Sequence, residues 1–256
     1  MEKKNEVLFM TARQYKELGF DKVVIPLGST EAHGYHLPIG CDTLISYKLA
    51  KKVADKCDGM LVSTPLVVGY SMHYDSFPYS MSLSYETCAH VIYDYIESAI
   101  RNGIEKILLI SNHDGNSAPC EIATRRIKEK YPNVRIAACD WWAGIANYLP
   151  ADFFESPGGL GHGGEFETSA AYYLFKELCE PEFAADIMPV LPDYLDVKWD
   201  FSELTDRGQT GAATKGSEEK GKVMIETAVA QIVKEVKALD AKNWDYTTPG
   251  HCQKPL

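Results

Sequence analysis

The sequence predicts an α/β fold: one domain over residues 1–256, three αβα layers, and a mostly parallel central sheet. Three observations predict it. Apolar runs of strand length near 23–27, 107–111 and 134–139 alternate with longer segments of helical period. These runs are apolar throughout, as strands buried on both faces are. Polar clusters follow these runs immediately, and ligands of parallel sheets collect at the carboxyl ends of strands.

The elements follow in order. Residues 11–19, TARQYKELG, read as a short helix stopped by Gly19. Residues 22–27 are β-rich and are expected as a buried strand ending in a polar cluster. Asp42 or Thr43 is expected to cap a helix through about Cys57, with Leu44, Ile45, Leu49, Val53 and Ala54 at helical spacing and Asp58-Gly59 as its end. Residues 60–68 form a second strand-like run. Residues 69–84, GYSMHYDSFPYSMSLS, are aromatic, Ser-rich and irregular. Loops of that length inside a compact domain are usually functional. The helix at 86–102 places Cys88, Val91, Ile92, Tyr95, Ile96 and Ala99 on one face, and Gly103 closes it.

The third strand runs into Asn112, His113, Asp114, Gly115 and Asn116. Asp114 and Asn116 read as caps of a helix at 117–131. The fourth strand exits into Asp140, Trp141 and Trp142. Residues 143–164 form a connection ending in GGLGHGG. A helix at 165–177 carries Glu165 and Glu167 in its first turn. Residues 181–216 read as irregular. The last helix, 217–241, points Val223, Ile225, Ala228, Ile232, Val233 and Val236 inward, and the tail after Trp244 reads as a surface strap.

The bulk numbers exclude several function classes. A net charge of −10 argues against nucleic acid or an anionic membrane as partner. The apolar runs are far short of a membrane span, and the N-terminus lacks a signal-peptide core. Seven scattered cysteines without a CxxC pair fit reduced thiols, so a cytoplasmic location is expected.

Glu31, His33, His36 and Asp42 fall within twelve positions. Two carboxylates and two imidazoles this close compete for partners, and a divalent cation is the simplest way to make the group favourable. Later strand ends and turns add His113, Asp114, His162, Glu165 and Glu167. Two cations sharing a carboxylate would lower the pKa of a water and clamp a tetrahedral intermediate, which implies hydrolysis of an amide or related carbonyl compound.

These stretches resemble a known family. GSTEAHGYHLPIGCDT is similar to the creatininase (creatinine amidohydrolase) signature G-x-x-E-x-H-G-x-H-L-P-x-x-x-D. SNHDGN resembles N-G-H-x-x-N, and GHGGEFETS resembles H-A-G-x-x-E-T-S. The aromatic loop resembles G-x-S-x-x-H-x-x-F-P-G-T-x-S-L-S, and TGAATKGSEEKG matches a Gly/Ala-rich segment before the last helix. The matches are in order over about residues 5–240.

The resemblance implies that Glu31, Asp42 and His113 hold one metal, with His33 and a bridging Asp42 on the other. His36 would support the ligands or face substrate. His162 matches the proton-shuttling histidine. Creatinine-cleaving members complete the second metal with a Glu two residues after the strand-end His, where this chain has Gly115. Glu165 is the candidate for that ligand and for a catalytic role beside His162, with Glu167 in reserve. For either, a helix N-terminal carboxylate favoured by the macrodipole is the plain alternative.

Trp142 matches one of two ring-stacking tryptophans; Gly158 stands where the other would be, and Gly161 replaces a Glu before the catalytic His. Tyr79-Ser80 replaces Gly-Thr in the aromatic loop and is placed on the substrate wall. These departures argue against creatinine as substrate. The implied activity is a dinuclear amidohydrolase cleaving a non-peptide C–N bond in a small cyclic or linear amide. A formamide hydrolase, precursor peptidase or keto-inositol hydrolase of the same family is the alternative, and a non-catalytic metal-binding homologue is a further one. The resemblance further implies two divalent ions, zinc or manganese with iron chemically admissible, a small-molecule substrate, and a homo-oligomer, often a hexamer.

Overall fold

The computed structural model describes residues 4–246, apart from 193 and 196. Four parallel strands form the central sheet: β1 (Lys22–Leu27), β2 (Met60–Val62), β3 (Lys106–Ser111) and β4 (Arg135–Asp140), in the order β2-β1-β3-β4. Val23 pairs with Leu61 on one side and Ile107 on the other, and Leu108 pairs with Ala137. The chain steps outward from β1 to β2, then returns to the opposite side of β1. The carboxyl ends of β1 and β3 therefore flank a topological switch point, where open parallel sheets leave a crevice.

Side chains alternate across the pleat, so each strand feeds two cores. Val24, Leu108 and Ile110 pack with α2 (Cys41–Ala54), α6 (Glu165–Phe175) and α7 (Glu218–Asp240). Val23, Ile25, Leu27, Ile107 and Leu109 pack with α3 (Tyr85–Arg101) and α4 (Ser117–Lys130). This is the predicted three-layer arrangement with a mostly parallel sheet. The short helices α1 (Ala12–Leu18) and α5 (Trp141–Ile145) lie outside the three crossovers, which are made by α2, α3 and α4. A two-residue antiparallel pair, β5 (Asp186–Ile187) with β6 (Gly211–Ala212), orders part of the stretch read as irregular.

Several local expectations are corrected. The second strand ends at Val62 and not at residue 68. Pro65 has no N–H to donate, and only an isolated bridge from Leu66 to Leu27 resumes the pairing. Helix α2 begins at Cys41 with Gly40 as its N-cap, so Asp42 sits inside the first turn and is no cap. Asn116 gives no side-chain cap to α4; its amide instead accepts from Tyr70 N and donates to Gly28 O. Val223 is exposed, at 46 %, although its helix buries Ile225, Ala228 and Val233. The tail beyond residue 246, read as a surface strap, lies outside the described residues, while Trp244 itself is fully buried.

Candidate metal centre

The end of β1 runs hard against the start of α2. A Cβ at Gly28 would meet the Thr43 backbone at 2.4 Å, so only glycine permits this approach. Thr43 Oγ1 then donates to Ser29 O, and Ser29 Oγ donates to Asp42 Oδ2 at 2.6 Å. The Asp42 carboxylate is thereby buried at the positive end of α2. From the end of β3, Asn112 Nδ2 donates to Asp42 Oδ1 at 2.6 Å and to Glu167 Oε1 at 3.1 Å, while Trp141 Nε1 donates to Asn112 Oδ1 at 2.6 Å. Sequence reasoning gave neither Asn112 nor Trp141 a role. The one signal available for each was its position directly after a strand.

Around Asp42 the predicted residues converge. His113 Nδ1 lies 3.2 Å from Asp42 Oδ2 and 3.3 Å from Glu31 Oε1. His33 Nε2 lies 3.3 Å from Asp42 Oδ1 and 3.8 Å from Glu167 Oε1. His162 Nδ1 is 3.7 Å from Glu31 Oε1. Asp42 thus turns one oxygen to each of two groups. Ligand atoms within 4.8 Å of one another come from Glu31, Asp42 and His113, from His33, Asp42 and Glu167, and from Glu31, His33 and His162.

The other nitrogen of each ring settles which atom faces inward. His33 Nδ1 bonds Glu31 O at 3.1 Å, His113 Nε2 bonds Tyr70 O at 2.7 Å, and His162 Nε2 bonds Ala32 O at 2.6 Å. A carbonyl only accepts, so those nitrogens carry protons, and the opposite nitrogens of His33, His113 and His162 face carboxylates. A proton or a cation held between nitrogen and oxygen makes each such contact favourable. Both oxygens of Glu31 and Nε2 of His33 are buried without a hydrogen-bond partner among the described residues. A carboxylate with no donor is costly to bury, and a cation relieves that cost. The donor set therefore fits divalent metal.

The charges agree. Burial pushes the His33 imidazole down, but Asp42 and Glu167 outweigh it and hold its pKa well above the ordinary value. Burial likewise works against His113, and Glu31 with Asp42 raises it well above. Burial raises the Asp42 carboxyl, yet His33 and His113 bring it well below the usual range. His162 is different: burial, then His33, lowers it to about 4, which leaves the ring neutral. Its ring stacks on Tyr74 at a centroid distance of 4.3 Å and lies tilted against His33 at 4.0 Å.

Glu165 is not in this group. Its carboxylate accepts from Glu155 N, from Ser156 N and Oγ, and from Lys220 Nζ at 2.6 Å. Two helical steps of about 100° separate Glu165 from Glu167, so the two acids of this first turn point to different sides. Glu167 takes the inward one, and Gly163 N donates to its Oε2 at 2.7 Å.

The substrate expectations divide. Trp142 borders a cavity of about 320 Å³ that opens onto Asp42, His113, His162 and Glu167. His36 is not on that wall. It is buried behind the loop, with Nε2 donating to Thr168 Oγ1 at 2.8 Å, because Thr168 commits its own proton to Gly163 O. Tyr79 is 76 % exposed at a positive φ, away from the cavity, and the Ser80 hydroxyl accepts from Ala32 N. His73, Tyr74, Trp199 and Phe201 line the cavity instead.

The family model for creatinine amidohydrolase matches residues 9–236. The chain belongs to the creatininase family. The creatinine amidohydrolase of Pseudomonas putida is 26 % identical to this creatininase-family chain over 230 residues, covering 84 % of it and 88 % of the relative. The 3-dehydro-scyllo-inosose hydrolase of Thermotoga maritima is 30 % identical, over 74 % of this chain and 63 % of its own length. The manganese form of creatininase superposes with a TM-score of 0.79 at 25 % identity, covering 92 % of this chain and 98 % of that one. Among the described residues no helix is long and apolar enough to cross a membrane.

Proposed function

We propose that this chain is a dinuclear metal-dependent amidohydrolase that cleaves a C–N bond in a small cyclic or linear amide other than creatinine. Glu31, Asp42 and His113 would hold one divalent ion, and His33, Asp42 and Glu167 the other. Glu167 replaces Glu165 in this reading because it alone of the two faces the cluster. Carboxylate and imidazole donors suit zinc or manganese, and iron is admissible. When bound, such ions activate water and polarise a carbonyl.

The chain's own residues supply the rest. Asn112, held by Trp141, orients Asp42 and Glu167 together. His162, neutral and fixed through Ala32 O, presents Nδ1 toward the cluster and is placed to carry a proton to the leaving nitrogen. Trp142 offers a flat wall, and the cavity has room for a small molecule.

The observation that carries this reading is the buried Glu31 carboxylate, neither oxygen hydrogen-bonded among the described residues, with Nδ1 of His113 and of His162 turned toward it at 3.3 and 3.7 Å. Metal analysis of the purified protein, with a turnover screen over small lactams, linear amides, formamides and keto-inositols, tests it. About two ions per chain with amide turnover are expected. Two ions and turnover of keto-inositols alone would replace the amide by a sugar-like substrate. Stoichiometric metal without any turnover would make this a binding protein.

A further inference from the structure

The Ser-rich stretch at 69–84 brings to the cavity one hydroxyl that the proposed chemistry leaves unused, that of Tyr74. Tyr74 ends a 3-10 turn, Met72–Tyr74, in which Tyr74 N donates to Ser71 O and Phe77 N donates to Tyr74 O, both at 2.9 Å. The stretch is pinned on either side of the turn. Ser71 N donates to Ser82 Oγ at 2.7 Å, and Met81 N donates to Thr30 O at 2.8 Å. The Tyr74 ring stacks on His162 and packs against His73 and Phe201, with centroids 4.3, 4.2 and 4.5 Å away. Three neighbouring rings leave the phenol little freedom, so its hydroxyl is held in place before any ligand arrives.

Tyr74 is 5 % exposed, and its hydroxyl forms no hydrogen bond with another described residue. The oxygen is not one of the sealed, unpartnered atoms of the interior, so it opens onto the cavity that the side chain borders. A hydroxyl left unpaired in so buried a side chain is costly, and such groups persist where function uses them. Burial, and after it the charges of Glu31, Glu167 and Asp42, raise its pKa well above the ordinary tyrosine value. The hydroxyl therefore keeps its proton at neutral pH and is a neutral donor within the field of the cluster. Other donors at the cavity are committed or missing. Asn112 Nδ2 is engaged with Asp42 and Glu167, and among the described residues no Lys or Arg lines the cavity. In the pattern that this stretch resembles, the position of Tyr74 carries His, so the hydroxyl is this chain's own.

In amide hydrolysis the oxygen of water bonds to the carbonyl carbon, and the C=O electron pair moves onto the carbonyl oxygen. The pair then returns, and the C–N bond breaks as nitrogen takes up the proton that the water has passed to His162. A fixed, uncharged donor gains most from the carbonyl oxygen when that oxygen carries the full charge. We propose that Tyr74 is a catalytic residue of this chain: its O–H donates a hydrogen bond to the substrate carbonyl oxygen and holds it more strongly as the tetrahedral oxyanion forms. The proton stays on Tyr74 throughout. The inference deepens the hydrolase reading and rests on it.

The test compares Tyr74→Phe with the parent, both full-length and metal-containing, by calorimetric titration with inorganic phosphate and with acetamide. Phosphate presents tetrahedral, anionic oxygens, and acetamide a planar, neutral carbonyl. Tyr74→Phe keeps the ring and loses the donor, so it is expected to weaken phosphate about tenfold and acetamide by no more than about twofold. On any amide turned over in the screen it should lower kcat about 100-fold, with KM within about threefold. Metal content and Tm should stay at the parent's values, because the ring contacts survive. Equal phosphate affinities in the two proteins, no phosphate binding by the parent, equal losses for both probes, or a kcat within about threefold of the parent would each overturn the inference. The two readings fail separately. A parent without metal or turnover removes the hydrolase, and the role of Tyr74 with it; a parent with both, and an unmoved Tyr74→Phe, removes Tyr74 alone.

Discussion

Lys220 of α7 lies 2.6 Å from the fully buried carboxylate of Glu165 in the first turn of α6. The same carboxylate receives the N–H groups of Glu155 and Ser156. Glu165 therefore joins a loop, a helix start and the C-terminal helix. Breaking such a buried pair from one side costs about 3 kcal/mol. Glu165→Ala should lower Tm by roughly 5–10 °C, and Glu165→Gln by less, since it keeps one acceptor. Both variants should retain the metal content of the parent. Metal loss in Glu165→Gln at unchanged Tm would return this residue to the centre.

The ligand sets predict unequal losses. Asp42 faces both His113 and His33, so Asp42→Ala should strip both ions. His113→Ala should remove one, and Glu167→Gln should weaken the other by about 10–100-fold in affinity. Competitive chelation followed by metal analysis distinguishes them. Two ions retained in Asp42→Ala would end the shared-carboxylate assignment.

Much of this was legible in the sequence, for identifiable reasons. β1 and β3 are apolar on both faces and nearly continuous, so their existence and the positions of Glu31 and His113 after them followed from pattern. The sequence favours Glu165 over Glu167, although both fit the start of a helix. The choice depends on the rotation at which α6 leaves the turn at Gly163-Gly164, where Gly163 has φ +64°. Asn112 and Trp141 were hidden for another reason: their partners lie 70 and 29 residues away, and neither spacing marks a local motif. His36 was over-read, since an imidazole in a ligand-rich stretch can equally serve the loop behind it.

In the proposed centre, the packing at Gly115 accounts for a second carboxylate drawn from α6. A Cβ there would lie 2.1 Å from Tyr70 O and 2.5 Å from His113 Nε2. Tyr70 O is the acceptor that orients His113. Gly115→Glu should therefore displace the ring and not add a ligand. Metal affinity should fall by about tenfold or more, as loss of an orienting partner does. A variant binding metal more tightly than the parent would contradict this packing.

Trp142 and Glu167 both border the cavity, and only Glu167 belongs to a candidate ligand group. Trp142→Ala should raise KM for the true substrate by about tenfold, with kcat within about threefold, as expected for lost uniform binding. A fall in kcat at constant KM would place this ring in the transition state.

Glu97 offers a pH test remote from the centre. It accepts hydrogen bonds from Lys130 Nζ at 2.7 Å, Tyr131 OH at 2.9 Å and Tyr93 OH at 3.0 Å. The Lys130 hydrogen bond, followed by those from Tyr131 and Tyr93, lowers its carboxyl to about 2. A carboxyl lowered on folding stabilises the native state above its ordinary unfolded pKa, because the unfolded chain binds the extra proton. That contribution is complete above the usual carboxylate range and is lost as the pH falls toward 2. Glu97→Gln should lower Tm at pH 7, and its difference from wild type should shrink steadily between about pH 5 and pH 2. Thermal melts across that range check it. A constant difference at every pH would mean that Glu97 contributes through shape and neutral hydrogen bonding, with its charge counting for nothing.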